Sequence, residues 1–250
     1  MTSFPPARLK IEDLVVKRGG KTVVRGLSLS VEPGQVVGLL GPNGAGKSSA
    51  FHAIVGLIRS SAGFIRLGER ALERLAMFQR ARLGLGYLPQ EASVFEGLSV
   101  AENLKAVMEI ALPSSERRAQ LEWLLEEFDL DVIKDQGAEA LSGGQRRRLE
   151  LARTMATKPS VVLLDEPFAG VDPVAIEGLQ SAIRNLSDQG VGVLITDHSA
   201  RDLLAMVDHA LLIDQGQILL EGSPSALAKD ETAKKRYLGV NFSLPNDDLG

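Results

Sequence analysis

The chain contains no cysteine among its 250 residues. That excludes disulfides, thiolate nucleophiles and cysteine-ligated zinc, and it fits a reducing compartment. No run approaches eighteen apolar residues, so the sequence offers no bilayer-spanning helix. The stretch Met1-Thr2-Ser3-Phe4-Pro5-Pro6 lacks the apolar core of a signal peptide. Basic excess is absent too: the net charge is -4, which gives no reason to expect nucleic-acid binding. Apolar content of 44% and charged content of 24% are ordinary for a soluble globular protein. At this length the chain is one large domain, or one domain carrying an inserted subdomain.

What is present is concentrated at Gly41-Pro42-Asn43-Gly44-Ala45-Gly46-Lys47-Ser48. An apolar run, Val36-Val37-Gly38-Leu39-Leu40, precedes it, and Ser49-Ala50-Phe51-His52-Ala53-Ile54-Val55 follows. Strand, glycine-rich loop and helix in that order are the context of a phosphate-binding P-loop. Glycines let successive backbone N–H groups converge on phosphate oxygens, and the helix start adds its partial positive charge. Lys47 is then placed to reach β- and γ-phosphates, and the Ser48 hydroxyl to ligate Mg²⁺. The stretch predicts a nucleoside triphosphate site.

Periodicity predicts strands over Leu9 to Val16 and Leu27 to Val31 around a turn at Gly19-Gly20. The P-loop helix is expected to stop near Arg59, with a short strand at Phe64 to Leu67 and a helix from Leu75 to Leu83. Gly84 to Pro89 reads as a strand ended by proline. From Ser99 to about Phe128 the pattern becomes amphipathic helix, broken at Pro113-Ser114-Ser115. This helical block between strand-rich regions reads as an inserted subdomain, about residues 91–158. Beyond it helix and strand alternate, which predicts a parallel sheet covered on both faces. One P-loop and no internal repeat give one nucleotide-binding unit per chain.

Val161-Val162-Leu163-Leu164-Asp165-Glu166 reads as a buried strand ending in two carboxylates, at the end where ligand sites of parallel sheets lie. Asp165 is placed to hold Mg²⁺ through water, and Glu166 to polarise a water for attack on the γ-phosphate. Leu141-Ser142-Gly143-Gly144-Gln145 opens a further helix. Ser142 is a good N-cap and two glycines expose N–H groups, so this is a second anion-binding helix start. Taken alone, the segment is equally a capped helix after a loop.

The three segments, in this order and spacing, resemble the ATP-binding-cassette (ABC) ATPases over about Leu9 to Leu244. The implied fold is α/β: a P-loop NTPase cassette with a mainly parallel core sheet, N-terminal antiparallel strands and an inserted helical subdomain. It would form a single domain over residues 1–244, followed by a disordered tail at 245–250. By the resemblance, Ser142, Gly143, Gly144 and Gln145 match the family signature, which completes the ATP site on the P-loop of a second subunit in a head-to-tail dimer. Gly41 to Ser48 and Ser49 would bind ATP; Gln90 would sense Mg²⁺ and water; His198 would contact the γ-phosphate; Ala169-Gly170-Val171-Asp172 would communicate across the dimer. Lys47, Gln90, Glu166 and His198 are the implied catalytic set, and Ser48, Gln90 and Asp165 the implied metal set. Arg18 stands where the family usually has an aromatic that stacks on adenine. A guanidinium can stack on a base, and it can equally be solvated.

Three stretches resemble the lipopolysaccharide-export branch of that family: Tyr87 to Phe95, Glu166 to Pro173 and Tyr237 to Leu244. Branched-chain amino-acid import ATPases are the alternative. The likeness implies two membrane permease subunits docking in a groove near Phe95, indirect membrane association on the cytoplasmic face of the inner membrane, and no nucleic-acid partner. An ABC protein acting on the ribosome or DNA would usually carry tandem cassettes or a coiled-coil insertion, which this chain lacks. Intact Lys47, Glu166 and His198 argue against a non-hydrolytic sensor. Arg146, Arg147 and Arg148, pointing in three directions on one helix, suit solvated or packing roles.

Overall fold

In the computed structural model, which describes residues 6–244, the central strand is β3 (Val36–Leu40), and all five of its residues are buried. A continuous Val/Leu run with no polar face is what a strand covered on both sides requires. Among the described residues it sits in a six-stranded sheet of order β10-β9-β3-β8-β7-β6. Here β6 is Leu85–Leu88, β7 Val161–Asp165, β8 Gly192–Thr196, β9 His209–Asp214 and β10 Gln217–Gly222. Neighbours are parallel from β9 through β3, β8 and β7 to β6, and only the edge strand β10 is antiparallel.

Period-two alternation divides two cores across this sheet. Val37, Leu39, Val161 and Leu163 face one core, shared with α1 (Lys47–Val55). Val36, Leu40, Val162 and Leu164 face the other, shared with α5 (Gly143–Met155) and α6 (Pro173–Asp188). The first core is closed by an antiparallel sheet of order β2-β1-β4-β5, from β1 (Leu9–Arg18), β2 (Lys21–Val31), β4 (Ala62–Leu67) and β5 (Arg70–Ala71). Between β6 and β7 the chain is largely helical: α3 (Val100–Ala111), α4 (Ser114–Glu127) and α5, with two 3₁₀ turns between α4 and α5. Ser99 opens α3 with a capping box: its Oγ accepts the Glu102 N–H, and the Glu102 carboxylate accepts the Ser99 N–H.

Most expected elements form with shifted ends. The P-loop helix stops at Val55 rather than near Arg59, because Gly56 adopts a left-handed conformation (φ 87°) and its N–H closes on His52 O. The helix expected from Leu75 begins at Met77 as α2 (Met77–Arg82). Among the alternating elements beyond the helical block, the helix after β8 is the short α7 (Ala200–Leu204). Residues 245–250, expected to be disordered, lie outside the described residues. Among the described residues no helix is long and apolar enough to cross a membrane.

Candidate nucleotide site

The strand order brings four chain segments to one edge of the core sheet. The P-loop leaves β3, the Asp165-Glu166 pair ends β7, His198 follows β8 and Gln90 follows β6. They meet around a cavity of about 450 Å³ lined by Arg18, Val23, Asn43, Gly44, Gly46, Lys47, Ser48, Ser49, Gln90, Glu166 and His198. Separate sequence signals more than a hundred residues apart thus converge on one cavity.

The loop itself is shaped by close packing. Gly46 has φ 114°, and a Cβ there would come within 2.6 Å of Val23 O, so the position admits only glycine. Lys47 is buried, and its Nζ donates to Gly41 O at 2.6 Å and Pro42 O at 3.2 Å. Burial lowers the Lys47 pKa from its ordinary value, and the charges of Glu166 and Asp165 act against that shift. The ammonium is therefore parked on the loop carbonyls, within the field of both carboxylates.

Asp165 and Glu166 are both buried, but they are partnered differently. Glu166 takes a left-handed backbone conformation (φ 51°) as the chain leaves β7, and its N–H donates to Thr196 O at 2.8 Å. Its Oε2 accepts from Gln90 Nε2 at 2.6 Å and lies 2.8 Å from His198 Nε2. Asp165 Oδ2 accepts the Tyr87 hydroxyl at 3.3 Å, while Oδ1 has no hydrogen-bond partner among the described residues. Burial is the main cause raising the Asp165 pKa, with repulsion from Glu166 adding to it. One carboxylate is clamped by two side chains; the other keeps an oxygen free.

The signature segment lies elsewhere. Ser142 caps α5 with a full capping box: Ser142 Oγ accepts the Gln145 N–H at 3.3 Å, and Gln145 Oε1 accepts the Ser142 N–H at 3.0 Å. The first N–H groups of the helix, at Gly143 and Gly144, have no intrahelical acceptor. Ser142 and Gly143 are exposed, and none of residues 142–145 lines the P-loop cavity of its own chain. A Cβ on Gly144 would sit 2.6 Å from Ala175 Cβ, so the signature turn packs tightly against the start of α6.

Several groups at the site were not singled out from the sequence. Arg147, read there as one of three similar arginines, is buried and donates to Pro89 O, Asp165 O, Glu166 O and Pro167 O at 2.9–3.2 Å. It also pairs with the buried Glu150 at 2.8 Å, whose other oxygen accepts the Ser93 N–H. Arg148 instead pairs with Asp129 at the surface. The only sequence signal separating them is phase, since Arg147 falls on the face of Leu151 and Gly144, both buried. Asp197 is buried as well, and its carboxylate accepts the N–H groups of Phe168 and Ser199, both at 3.0 Å. Phe95 is 46% exposed, so it is no core aromatic; the Arg153 guanidinium lies 4.2 Å from its ring centre. Arg18 is exposed at the rim of the cavity.

Comparison with known proteins agrees with this geometry. A family model described as ABC transporter matches residues 24–169. A probable ABC transporter ATP-binding protein of Azorhizobium caulinodans is 49% identical over 90% of this chain and 81% of its own length. The lipopolysaccharide export system ATP-binding protein LptB of Escherichia coli (strain K12) is 44% identical over 95% of this chain and 100% of its own length. A crystal structure of an ATP-binding cassette of an ABC transporter, in its ADP conformation, superposes with TM-score 0.82 at 26% identity, covering 93% of this chain and 99% of that one. The chain belongs to the ABC transporter family, as one of its ATP-binding cassettes.

Proposed function

We propose that this chain is the ATP-hydrolysing subunit of an ABC transporter that exports lipopolysaccharide. The observation that carries the hydrolytic reading is the convergence of Gln90 and His198 on one oxygen of Glu166, in the cavity that also holds Lys47 and Ser48. Such a constellation suits in-line attack by water on a γ-phosphoryl group, where catalysis is mainly positioning and charge stabilisation. Glu166 accepts a proton from the attacking water as its Oε2 exchanges protein donors for that water. His198 steadies the γ-phosphate, and Lys47 transfers from the Gly41 and Pro42 carbonyls to phosphate oxygens. Gly41 to Ser49 wrap the phosphates, and Arg18 stacks on or flanks the base.

The residues present also fit Mg²⁺. The buried, unpartnered Asp165 Oδ1 needs a proton donor or a cation. Among the described residues no three Asp, Glu or His side chains cluster as a metal cage, which suits an ion that draws most of its ligands from phosphate and water. Ser48, Gln90 and, through water, Asp165 would hold it. Bound there, Mg²⁺ neutralises charge on the phosphates.

The exposed signature turn, remote from its own P-loop cavity, supports a head-to-tail dimer. In that dimer Ser142 to Gln145 of one copy close the γ-phosphate site of the other. The helical block at about 91–158 acts as the subdomain that moves with nucleotide. Exposed Phe95 belongs to a groove for two membrane permease subunits, which hold the dimer at the cytoplasmic face of the inner membrane. Near full-length likeness to the lipopolysaccharide export protein favours export over amino-acid import. Co-purification tests the transport reading: lipopolysaccharide-export permeases support it, and amino-acid permeases would replace it with the import alternative.

A further inference from the structure

The Tyr87 hydroxyl is a half-buried polar group with no part in the hydrolytic scheme. Tyr87 stands on β6, one strand away from Asp165, and donates to Asp165 Oδ2 at 3.3 Å. Its ring meets the imidazole of His52, on the P-loop helix, edge to face at a centroid distance of 6.5 Å. On the opposite side of Asp165 lies its register partner on β8, Thr196. The hydroxyl of Thr196 is buried and, like Asp165 Oδ1, has no hydrogen-bond partner among the described residues. Register partners of neighbouring parallel strands project to the same face. The carboxylate is thus flanked by one hydroxyl that engages it and one that is free.

We infer that Tyr87 is a positioning residue for the divalent cation of the nucleotide site. It occupies Oδ2 of Asp165 and so leaves Oδ1 free to accept from a water of the Mg²⁺·ATP complex. Two buried, unpartnered polar atoms on register-paired residues of neighbouring strands are costly unless a ligand or water satisfies them. A metal-bound water, with two protons to donate, satisfies the carboxylate and can meet the hydroxyl. The contact to His52 keeps the Tyr87 ring against the helix that carries Lys47 and Ser48, so the carboxylate and the P-loop stay in one alignment. This inference rests on the reading of Asp165 as the metal's water-bridged carboxylate.

The test is the Mg²⁺ dependence of nucleotide affinity in the full chain, not turnover. Binding of a fluorescent ATP analogue is measured in EDTA and in Mg²⁺ for the wild type, Tyr87→Phe and Asp165→Asn. Thermal unfolding in EDTA checks that each variant folds. Tyr87→Phe removes one oxygen and keeps the ring. Expected for it is an unchanged affinity in EDTA and a roughly tenfold smaller gain on adding Mg²⁺, the scale of one hydrogen bond to a charged group. An unchanged Mg²⁺ gain overturns the inference. So does an equal loss with and without Mg²⁺, which would make Tyr87 a packing residue of the pocket. If Asp165→Asn keeps the full Mg²⁺ gain, the underlying metal assignment has failed and the inference falls with it. Thr196→Val supplies an independent arm: a reduced Mg²⁺ gain supports a water shared by the two groups, and an unchanged gain removes Thr196 from the inference.

Discussion

His198 Nε2 lies 2.8 Å from Glu166 Oε2, because the 31 residues between them in sequence, α6 and β8 included, return the chain to a strand that pairs directly with β7. Glu166 is buried while His198 is about half exposed, so the imidazole bridges the carboxylate to the open cavity. Glu166→Gln keeps the size and hydrogen-bonding reach of the side chain and removes its basicity. Phosphate release should fall about 10²- to 10⁴-fold while ATP binding persists, and dimer should accumulate in size-exclusion runs with ATP. Ordinary steady-state turnover in this variant would remove Glu166 from the role of general base.

Arg147 ties α5 to the chain on either side of the carboxylates. Removing it leaves Glu150 as an uncompensated buried charge and four carbonyls without their donor. Arg147→Ala should therefore cost about 3–5 kcal/mol in denaturant unfolding. Arg147→Met with Glu150→Gln should recover part of that stability without recovering turnover, since the Pro89, Asp165 and Pro167 carbonyls lose the guanidinium and Glu166 O keeps only the Ala169 N–H. A single variant within about 0.5 kcal/mol of wild type would show that these contacts are not structural.

The fold class and most of the site were legible because they rest on local patterns. The P-loop is one contiguous stretch, and the Asp165-Glu166 pair sits at the end of an unbroken apolar run. Gln90 and His198 are singled out by resemblance rather than residue chemistry, and their convergence on one oxygen of Glu166 is visible only in the structure, because strand order is set by long-range packing. Arg147 stayed hidden for a related reason. Three consecutive arginines look alike in sequence, and only the buried face of α5 distinguishes the middle one. The contact of Tyr87 is not legible in sequence, because its partner is 78 residues away. The helix end at Gly56 was missed because the apolar pattern runs on through Leu57 and Ile58 after the left-handed turn has stopped the helix.

Gly46 tests the fit of the cradle. Alanine there brings Cβ against Val23 O in a left-handed backbone, a strain of roughly 1–3 kcal/mol that the loop relieves by moving. ATP affinity, read by titration calorimetry, should fall about ten- to hundredfold. Gly97→Ala, where a Cβ meets nothing within 4 Å, is the control and should leave affinity unchanged.

Asp208 gives a pH-dependent contribution of definite sign. Burial raises its pKa, but the Arg184 guanidinium, at 2.8 and 3.1 Å, and the Val36 N–H, at 2.8 Å, outweigh burial and hold it below the ordinary value. A carboxylate with a depressed folded pKa adds stability above its unfolded value, about 3.9, and that stability is lost as pH falls through the folded value. The pair is partly exposed, so solvent screening keeps the contribution to about 0.5–1 kcal/mol. Asp208→Asn should lower Tm at pH 7 and converge on the wild type as pH falls below the depressed folded value. A constant offset across that range would assign the loss to the Val36 hydrogen bond alone.

The central claim is that each ATP site is shared between two copies, and a mixing experiment tests it most directly. Lys47→Ala disables the P-loop, and Ser142→Arg disables the signature; each homodimer should release no phosphate above background. Mixed in equal amounts, half the dimers should contain one chain of each kind, with one P-loop intact facing one signature intact. Phosphate release should then return to about a quarter of the wild-type level. If the signature served its own chain's P-loop, every site would carry one defect and the mixture would stay inactive. Such a silent mixture, from variants shown to dimerise, would contradict the shared site.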